Sequence, residues 1–234
     1  MTYLTSQRAR YVQGMFARIA PRYNLMNRLM TAGQDRRWRQ EVIRRAGLAP
    51  GGKLLDLGAG TGELCREALR HVPGCFAVAA DFTLEMMNVG KTNWERNTPA
   101  PGWTAADGLR LPFADETFGA VVSGFLLRNV SDLGIALSEQ WRVLKPGGRL
   151  VALDTTRPPH TLLSPAINFH LHRIIPALGR LVTGDGQAYT YLPETTRDFL
   201  SAEELSERLE QAGFRQVGFR RIMFRTVAIH WGIK

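Results

Sequence analysis

The chain opens in a helical rhythm. Val12, Met15, Phe16 and Ile19 recur at helical spacing, and so do Leu25, Met26, Leu29 and Met30. Ala20-Pro21 breaks the period between the two stretches, because a residue before proline is steered out of the helical region. Gly47 and Ala49-Pro50-Gly51-Gly52 close this first region. Short, solid apolar runs then take over. Lys53 to Leu57 predicts a buried strand closing on Gly58, followed by a helix over Glu63 to His71. Phe76 to Ala80 predicts a second strand ending at Asp81, with a helix over Leu84 to Trp94. A weaker third strand covers Trp103 to Ala106 and a strongly apolar fourth covers Phe118 to Phe125. A helix over Leu133 to Leu144 stops at Lys145-Pro146-Gly147-Gly148, and Arg149 to Asp154 is a fifth strand.

Strands alternating with helices at this spacing predict an α/β fold, a doubly wound Rossmann-like sheet covered on both faces. The alternation fails over residues 155–200, where five prolines punctuate apolar stretches. Ser201-Ala202-Glu203-Glu204 then carries a capping signature for a helix to Ala212. Phe214–Phe219 and Met223–Ile229 predict a terminal antiparallel pair, which completes a seven-stranded sheet. The expected organisation is one domain: a helical cap (1–50), a core (51–154), an insertion (155–200) and a C-terminal helix with strands (201–234).

Composition adds little until charge is placed along the chain. The net charge is +9, and residues 1–50 hold ten arginines against only Asp35 and Glu41. Residues 214–234 hold Arg215, Arg220, Arg221, Arg225 and Lys234 with no acid. Such ends attract phosphate, in nucleic acid or in anionic headgroups. No aromatic-basic stacking motif accompanies them, so nucleic acid is not the expected partner. No apolar run is long enough to cross a bilayer. The expected location is cytoplasmic, with peripheral contact at the inner membrane face. Cys65 and Cys75 are too few and wrongly spaced for a metal site or a disulfide framework, and are expected as reduced thiols.

The chemistry is signalled at the strand ends. Asp56-Leu57-Gly58-Ala59-Gly60-Thr61-Gly62 follows a strand and opens a helix, as a cofactor loop must. Its glycines are spaced more tightly than in the dinucleotide pattern, and an acid precedes them. Asp56 suits a cationic ligand end better than a pyrophosphate. Asp81 lies 21 residues after Gly60, where an acid can accept two hydrogen bonds from a ribose cis-diol. Asp107 is the right type to accept from an adenine amino group. Three acids at successive strand ends match S-adenosyl-L-methionine, which is cationic at its amino-acid end.

The sequence resembles the ubiquinone/menaquinone biosynthesis C-methyltransferases over nearly its whole length. The resemblance is carried by the stretch from Met15 to Asn27, the glycine loop, Asp107 to Phe113, Leu127-Arg128-Asn129-Val130, Arg142 to Gly148, Tyr189 to Glu194 and Ala228-Ile229-His230. The glycine loop and the Lys-Pro-Gly-Gly turn are common to many methyltransferases. The Phe-x-x-Ile-Ala-x-x-Tyr, Leu-Arg-Asn and Tyr-x-Tyr-Leu-Pro-Glu stretches are more particular.

What the resemblance implies is a class I methyltransferase acting on a ring carbon of a polyprenylated quinol, with S-adenosyl-L-methionine as donor. The alternative acceptor is a soluble aromatic metabolite. The cofactor contacts implied or expected are Tyr23, Asp56, Gly58, Gly60, Thr61, Gly62, Asp81, Phe82, Met86, Asp107, Gly108 and Ser123. A quinol carbon becomes nucleophilic when its hydroxyl ionises, so a cation or base is needed beside it. Arg128 is the candidate cation, and Asp154 or one of His170, His172 and His230 the candidate base. No metal is expected. A homodimer is allowed by the sequence, but nothing in it requires one. The chain departs from the family at Ala17 and Asn24, where Asp is usual, at Leu126, where Gly is usual, and at Asp154-Thr155-Thr156. It departs again at Phe224-Arg225-Thr226, which replaces a glycine-containing stretch.

Overall fold

The computed structural model describes residues 2–157, 169, 173–183 and 195–234. The helical opening forms α1 (Thr2–Ile19), a short 3-10 turn at Ala20–Arg22 started by Pro21, α2 (Tyr23–Met30) and α3 (Asp35–Ala46). Gly47 ends α3 in the left-handed conformation, at a φ of 55° that favours glycine.

The solid apolar runs become β1 (Lys53–Leu57), β2 (Phe76–Asp81), β3 (Gly102–Ala105), β4 (Phe118–Gly124) and β5 (Leu144–Thr155). The intervening helices are α4 (Glu63–His71), α5 (Leu84–Thr92) and α6 (Leu133–Val143). After β5, the described elements are α7 (Ile175–Thr183), α8 (Ala202–Gln211), β6 (Arg215–Ile222) and β7 (Val227–Ile233). The expected capping box is present: the Glu204 N–H donates to the Ser201 side chain, and the Ser201 N–H donates to the Glu204 carboxylate.

The seven strands form one sheet in the order β3-β2-β1-β4-β5-β7-β6. β1 through β5 are parallel, while β7 runs antiparallel between β5 and β6. Strand order reverses at β1, which pairs with β2 on one side and β4 on the other. Loops leaving those strands diverge there and open a crevice at the carboxyl ends. One buried cluster lies between the sheet and α3/α4, through Val42, Leu64, Ala120 and Ile229. A second lies on the opposite face under α6 and α8, through Leu57, Leu137, Leu205 and Leu209. A third small cluster joins Met15, Ile19 and Met26 to Ile175, so the N-terminal helices and α7 share an apolar interior.

Two of the boundaries that differ from expectation have a visible cause. β5 begins at Leu144, because the Lys-Pro-Gly-Gly stretch joins the strand before its register shifts against β4. The last strand does not begin at Met223. Met223, Phe224 and Arg225 form a turn with φ of 45°, 53° and 67°, and β7 then runs on to Ile233 between two partners.

Three successive side-chain-bearing residues in the left-handed region carry strain of roughly 1–2 kcal/mol each. Phe224 is 70% exposed, so it returns little burial for this. Phe224→Gly is therefore expected to stabilise the fold by about 1 kcal/mol and raise the Tm by about 2–4 °C. Thermal unfolding followed by circular dichroism checks this, and a lowered Tm would contradict the strain.

Candidate functional site

The crevice is built on the three acids. The glycine loop turns through left-handed Gly58 and Gly60, with φ of 67° and 56°, and its Gly58 and Ala59 N–H groups donate to the Ala80 carbonyl at 2.8 and 3.0 Å. The turn delivers the Gly60 N–H to Asp81 Oδ2 at 2.7 Å, while the Thr83 N–H donates to Oδ1 at 2.7 Å. Asp81 thus locks the loop to the end of β2 and still faces the cavity. Asp56 accepts from the Cys65 N–H through Oδ2 at 3.2 Å, but its buried Oδ1 has no partner. Burial pushes its carboxyl up to about 7, opposed by the Cys65 hydrogen bonds and helped by the neighbouring Asp81 charge. Burial likewise raises Asp81 above the usual carboxylate range. Asp107 accepts from the Leu109 N–H at 2.9 Å, a turn that brings Asp107, Gly108 and Leu109 to the same wall.

The N-terminal helices roof this crevice. Gln13 of α1 donates to the Phe82 carbonyl at 3.2 Å. Thr61 Oγ1 donates to Asn24 Oδ1 at 2.8 Å, Asn24 Nδ2 donates to Glu63 at 3.3 Å, and Arg39 donates to the other Glu63 oxygen at 2.9 Å. This relay ties α2 and α3 to the start of α4. Asn24, one of the departures, is therefore the link between roof and loop. Phe82, Met86 and Tyr23 also line the cavity. Burial raises the Tyr23 phenol above its ordinary value, so it stays protonated, sharing a hydrogen bond with Asn27.

A second, more apolar cavity adjoins the first, and Phe16, Tyr23, Asn27 and Phe125 line both. Met15, Ile19, Trp38 and Ile175 wall it, and Arg128 and Thr155 reach it from the sheet. Arg128 is buried, donates to Asp154 Oδ1 at 2.7 Å through Nη1, and lies over the Phe125 ring. Asp154, 1% exposed, also accepts the N–H groups of Arg128 and Thr155 at 3.2 and 2.7 Å.

Several expected residues are not brought to these cavities. Asp154 lines neither, and both its oxygens are taken by Arg128 and the backbone. His230 is a further correction. It faces α8, where its Nε2 pairs with the Ala202 carbonyl at 3.0 Å. The cavities are lined from the other sheet face, the first by Leu153 and the second by Thr155 and Val227. Burial lowers the His230 imidazole to about 4, and the structure gives it no route to a substrate proton. Gly62 lies outside the cavity lining: it starts α4 at a φ of 79°, and a Cβ there would sit 2.7 Å from Trp103. Ser123 is buried on β4 one residue before the lining begins at Gly124. His170, His172 and the Tyr189–Glu194 motif lie outside the described residues. Cys65 and Cys75 are free and buried.

Asn24, Asn27, Phe125 and Leu126 join the cavity lining without being expected there from the sequence. Tyr23, Asn27 and Met30 share one face at helical spacing, a signal that was available. Leu126 leans over the loop, 2.8 Å from where a Gly58 Cβ would stand, which only three-dimensional contact reveals.

Residues 1–234 match the model of the ubiE/COQ5 methyltransferase family. The chain belongs to that family. It is 44% identical over 223 residues to the ubiquinone/menaquinone biosynthesis C-methyltransferase UbiE of Desulfotalea psychrophila, covering 95% of this chain and 90% of the relative. It is 41% identical to the demethylmenaquinone methyltransferase of Roseiflexus sp., covering 97% and 95%. Among solved structures, the [4+2]-cyclase SpnF aligns with a TM-score of 0.70 at 18% identity, over 95% of this chain and 94% of that one. A SAM-dependent methyltransferase from Aquifex aeolicus aligns at 0.58 and 20% identity, over 83% and 88%. These likenesses show the fold, a class I methyltransferase sheet. This methyltransferase takes its methyl group from S-adenosyl-L-methionine, and the site fits that donor. The unpartnered Asp56 oxygen is a buried acceptor awaiting a donor, and two further carboxylates and a glycine turn share its wall.

Proposed function

We propose that this enzyme methylates a ring carbon of a polyprenylated quinol, on the following division of labour. Residues 1–50 form a cap over a cofactor core at 51–154. Asp56 receives the cationic amino-acid end of the donor, Asp81 the ribose diol and Asp107 with Gly108 the adenine. Gly58, Gly60, Thr61, Phe82 and Met86 shape the cradle, and Tyr23 closes it. Bound there, S-adenosyl-L-methionine supplies a methyl group already activated on a sulfonium.

The observation that carries the acceptor reading is the buried Arg128 guanidinium at an apolar cavity that adjoins the cofactor crevice. Arg128 stabilises the ring oxygen as phenolate, directly or through a water, and the proton of that hydroxyl passes to solvent. A phenol ordinarily ionises near 10, and a fixed cation in a water-poor cavity brings this within reach of neutral pH. Charge moved into the ring makes the adjacent carbon nucleophilic, and after the C–C bond forms that carbon sheds its own proton to solvent once the product leaves the cavity, restoring the aromatic ring. Asp154 acts as a positioning residue: it holds the guanidinium from behind and keeps it in one orientation. His230 serves the packing under α8.

Phe16, Tyr23 and Phe125 stand at the wall between the chambers and exclude water from the transfer. Leu126 lines the cofactor chamber only, so this departure leaves the apolar chamber open to a ring with a hydrocarbon tail. The relatives named for quinone and menaquinone biosynthesis support this acceptor class. The arginine-rich ends support peripheral contact with anionic headgroups; among the described residues, no helix is long and apolar enough to cross a membrane. Mass spectrometry of the quinone pool in cells lacking the protein tests the reading. A quinone one methyl group short is expected to accumulate and to disappear on complementation. An unchanged pool would overturn it.

A further inference from the structure

On the lipid-acceptor reading above, we infer that the rim of the second cavity is the surface by which this enzyme docks on an anionic lipid membrane, with the cavity mouth turned to the hydrocarbon. Three segments distant in sequence meet at that cavity, and each repeats one arrangement. On α2, Met30 lines the cavity while its neighbours Leu29 and Arg28 are exposed. At the start of α7, Ile175 lines it while Ile174 and Arg173 are exposed. In the turn between β6 and β7, Met223 lines it while Phe224 and Arg225 are exposed. Each segment gives one apolar side chain to the interior, the next to solvent, and sets a cation beside it.

The exposed apolar members are far from buried: Leu29 at 45%, Ile174 at 39% and Phe224 at 70%. Neither α2 nor α7 contains an Asp or Glu. None of the three arginines has an ion-pair partner among the described residues. Apolar side chains held in water around an apolar opening gain free energy when hydrocarbon covers them. Phe224 is held outward at the cost of a strained turn, which folding alone does not repay. The arginines decide what covers the rim. Exposed arginines next in sequence to exposed apolar residues match the boundary between anionic headgroups and acyl chains. Docked this way, a prenylated acceptor moves from bilayer to cavity without its tail crossing water.

The test is sedimentation of the full-length protein with vesicles of phosphatidylcholine containing phosphatidylglycerol, beside pure phosphatidylcholine. Turnover is measured in parallel on a short-tailed, water-soluble demethylnaphthoquinol. Wild-type protein is expected to bind the anionic vesicles and to be released by salt. Arg28→Glu/Arg173→Glu/Arg225→Glu is expected to weaken that binding on the order of 100-fold while short-tail turnover persists. A matched triple elsewhere, Arg96→Glu/Arg208→Glu/Arg215→Glu, is expected to weaken it far less. Phe224→Gly guards against misfolding as an explanation, since it is expected to be more stable than wild type and yet bind vesicles less well. Equal loss in both triples, or no wild-type binding, overturns the docking face while short-tail turnover keeps the acceptor reading standing. Absence of turnover on any quinol, with rim-dependent vesicle binding intact, sinks the acceptor reading and the entry route while locating the membrane contact.

Discussion

Arg128→Met is expected to destabilise the protein by about 3–5 kcal/mol, because it strands a buried carboxylate at Asp154. In a chain of this size that lowers the Tm by roughly 6–20 °C. Turnover is expected to fall on the order of 10²–10³-fold even below the new Tm, since the cation proposed to stabilise the acceptor oxygen is gone. Affinity for S-adenosylhomocysteine is expected to hold, because Arg128 does not line the cofactor cavity. The double variant Arg128→Met/Asp154→Leu separates the two roles. Replacing the whole ion pair with apolar groups removes the stranded charge, so stability returns. Turnover does not. Thermal unfolding, calorimetry and steady-state kinetics on the three proteins check this. A double variant that recovers turnover along with stability would reduce Arg128 to a structural residue.

The second large effect concerns Asp56. Burial, the largest cause, pushes its carboxyl up to about 7. Only the ionised form attracts the ammonium group of the ligand's amino-acid end, so affinity for S-adenosylhomocysteine is expected to fall about tenfold per pH unit below 7 and to level off above it. Asp56→Asn is expected to weaken binding on the order of 100-fold at pH 8 and to abolish that slope. Stability moves in the opposite sense. A carboxyl raised in the folded state holds a proton that the unfolded chain releases, so its contribution is full below about 4 and is lost as pH rises to about 7. Asp56→Asn should therefore gain stability relative to wild type over that window. Titration calorimetry from pH 5.5 to 8.5 checks the binding limb, and a pH-independent affinity for wild type would contradict it.

Most of the sheet was legible in the sequence because buried parallel strands read as solid apolar runs. Asp81 was legible from its distance to Gly60, since strand, loop and helix lengths fix where the next strand ends. Asp154 was visible as an acid at a strand end but not as the partner of Arg128. That pair joins a loop after β4 to the end of β5, 26 residues apart, and no local pattern encodes it. His230 was misread for a related reason. Alternation along a strand says that neighbours face opposite ways, but it does not say which face meets the cavity. Register with β5 decides that, placing His230 opposite Ala152 and under α8, while Val227 meets Thr155 at the cavity. Gly62 looked like part of the cradle because glycines in a loop look alike. Its neighbour Trp103, 41 residues on, is what requires it.

Every step proposed above requires delivery of the donor's methyl group to a carbon of a ring held beside Arg128. Its most direct test is nuclear magnetic resonance of the product formed from purified enzyme, S-adenosyl-L-methionine labelled with carbon-13 in the methyl group, and a prenylated demethylquinol. A single new labelled methyl resonance is expected at the shift of a methyl group bound to a ring carbon. A methoxy resonance, or no transfer by an enzyme that still binds S-adenosylhomocysteine, would contradict it.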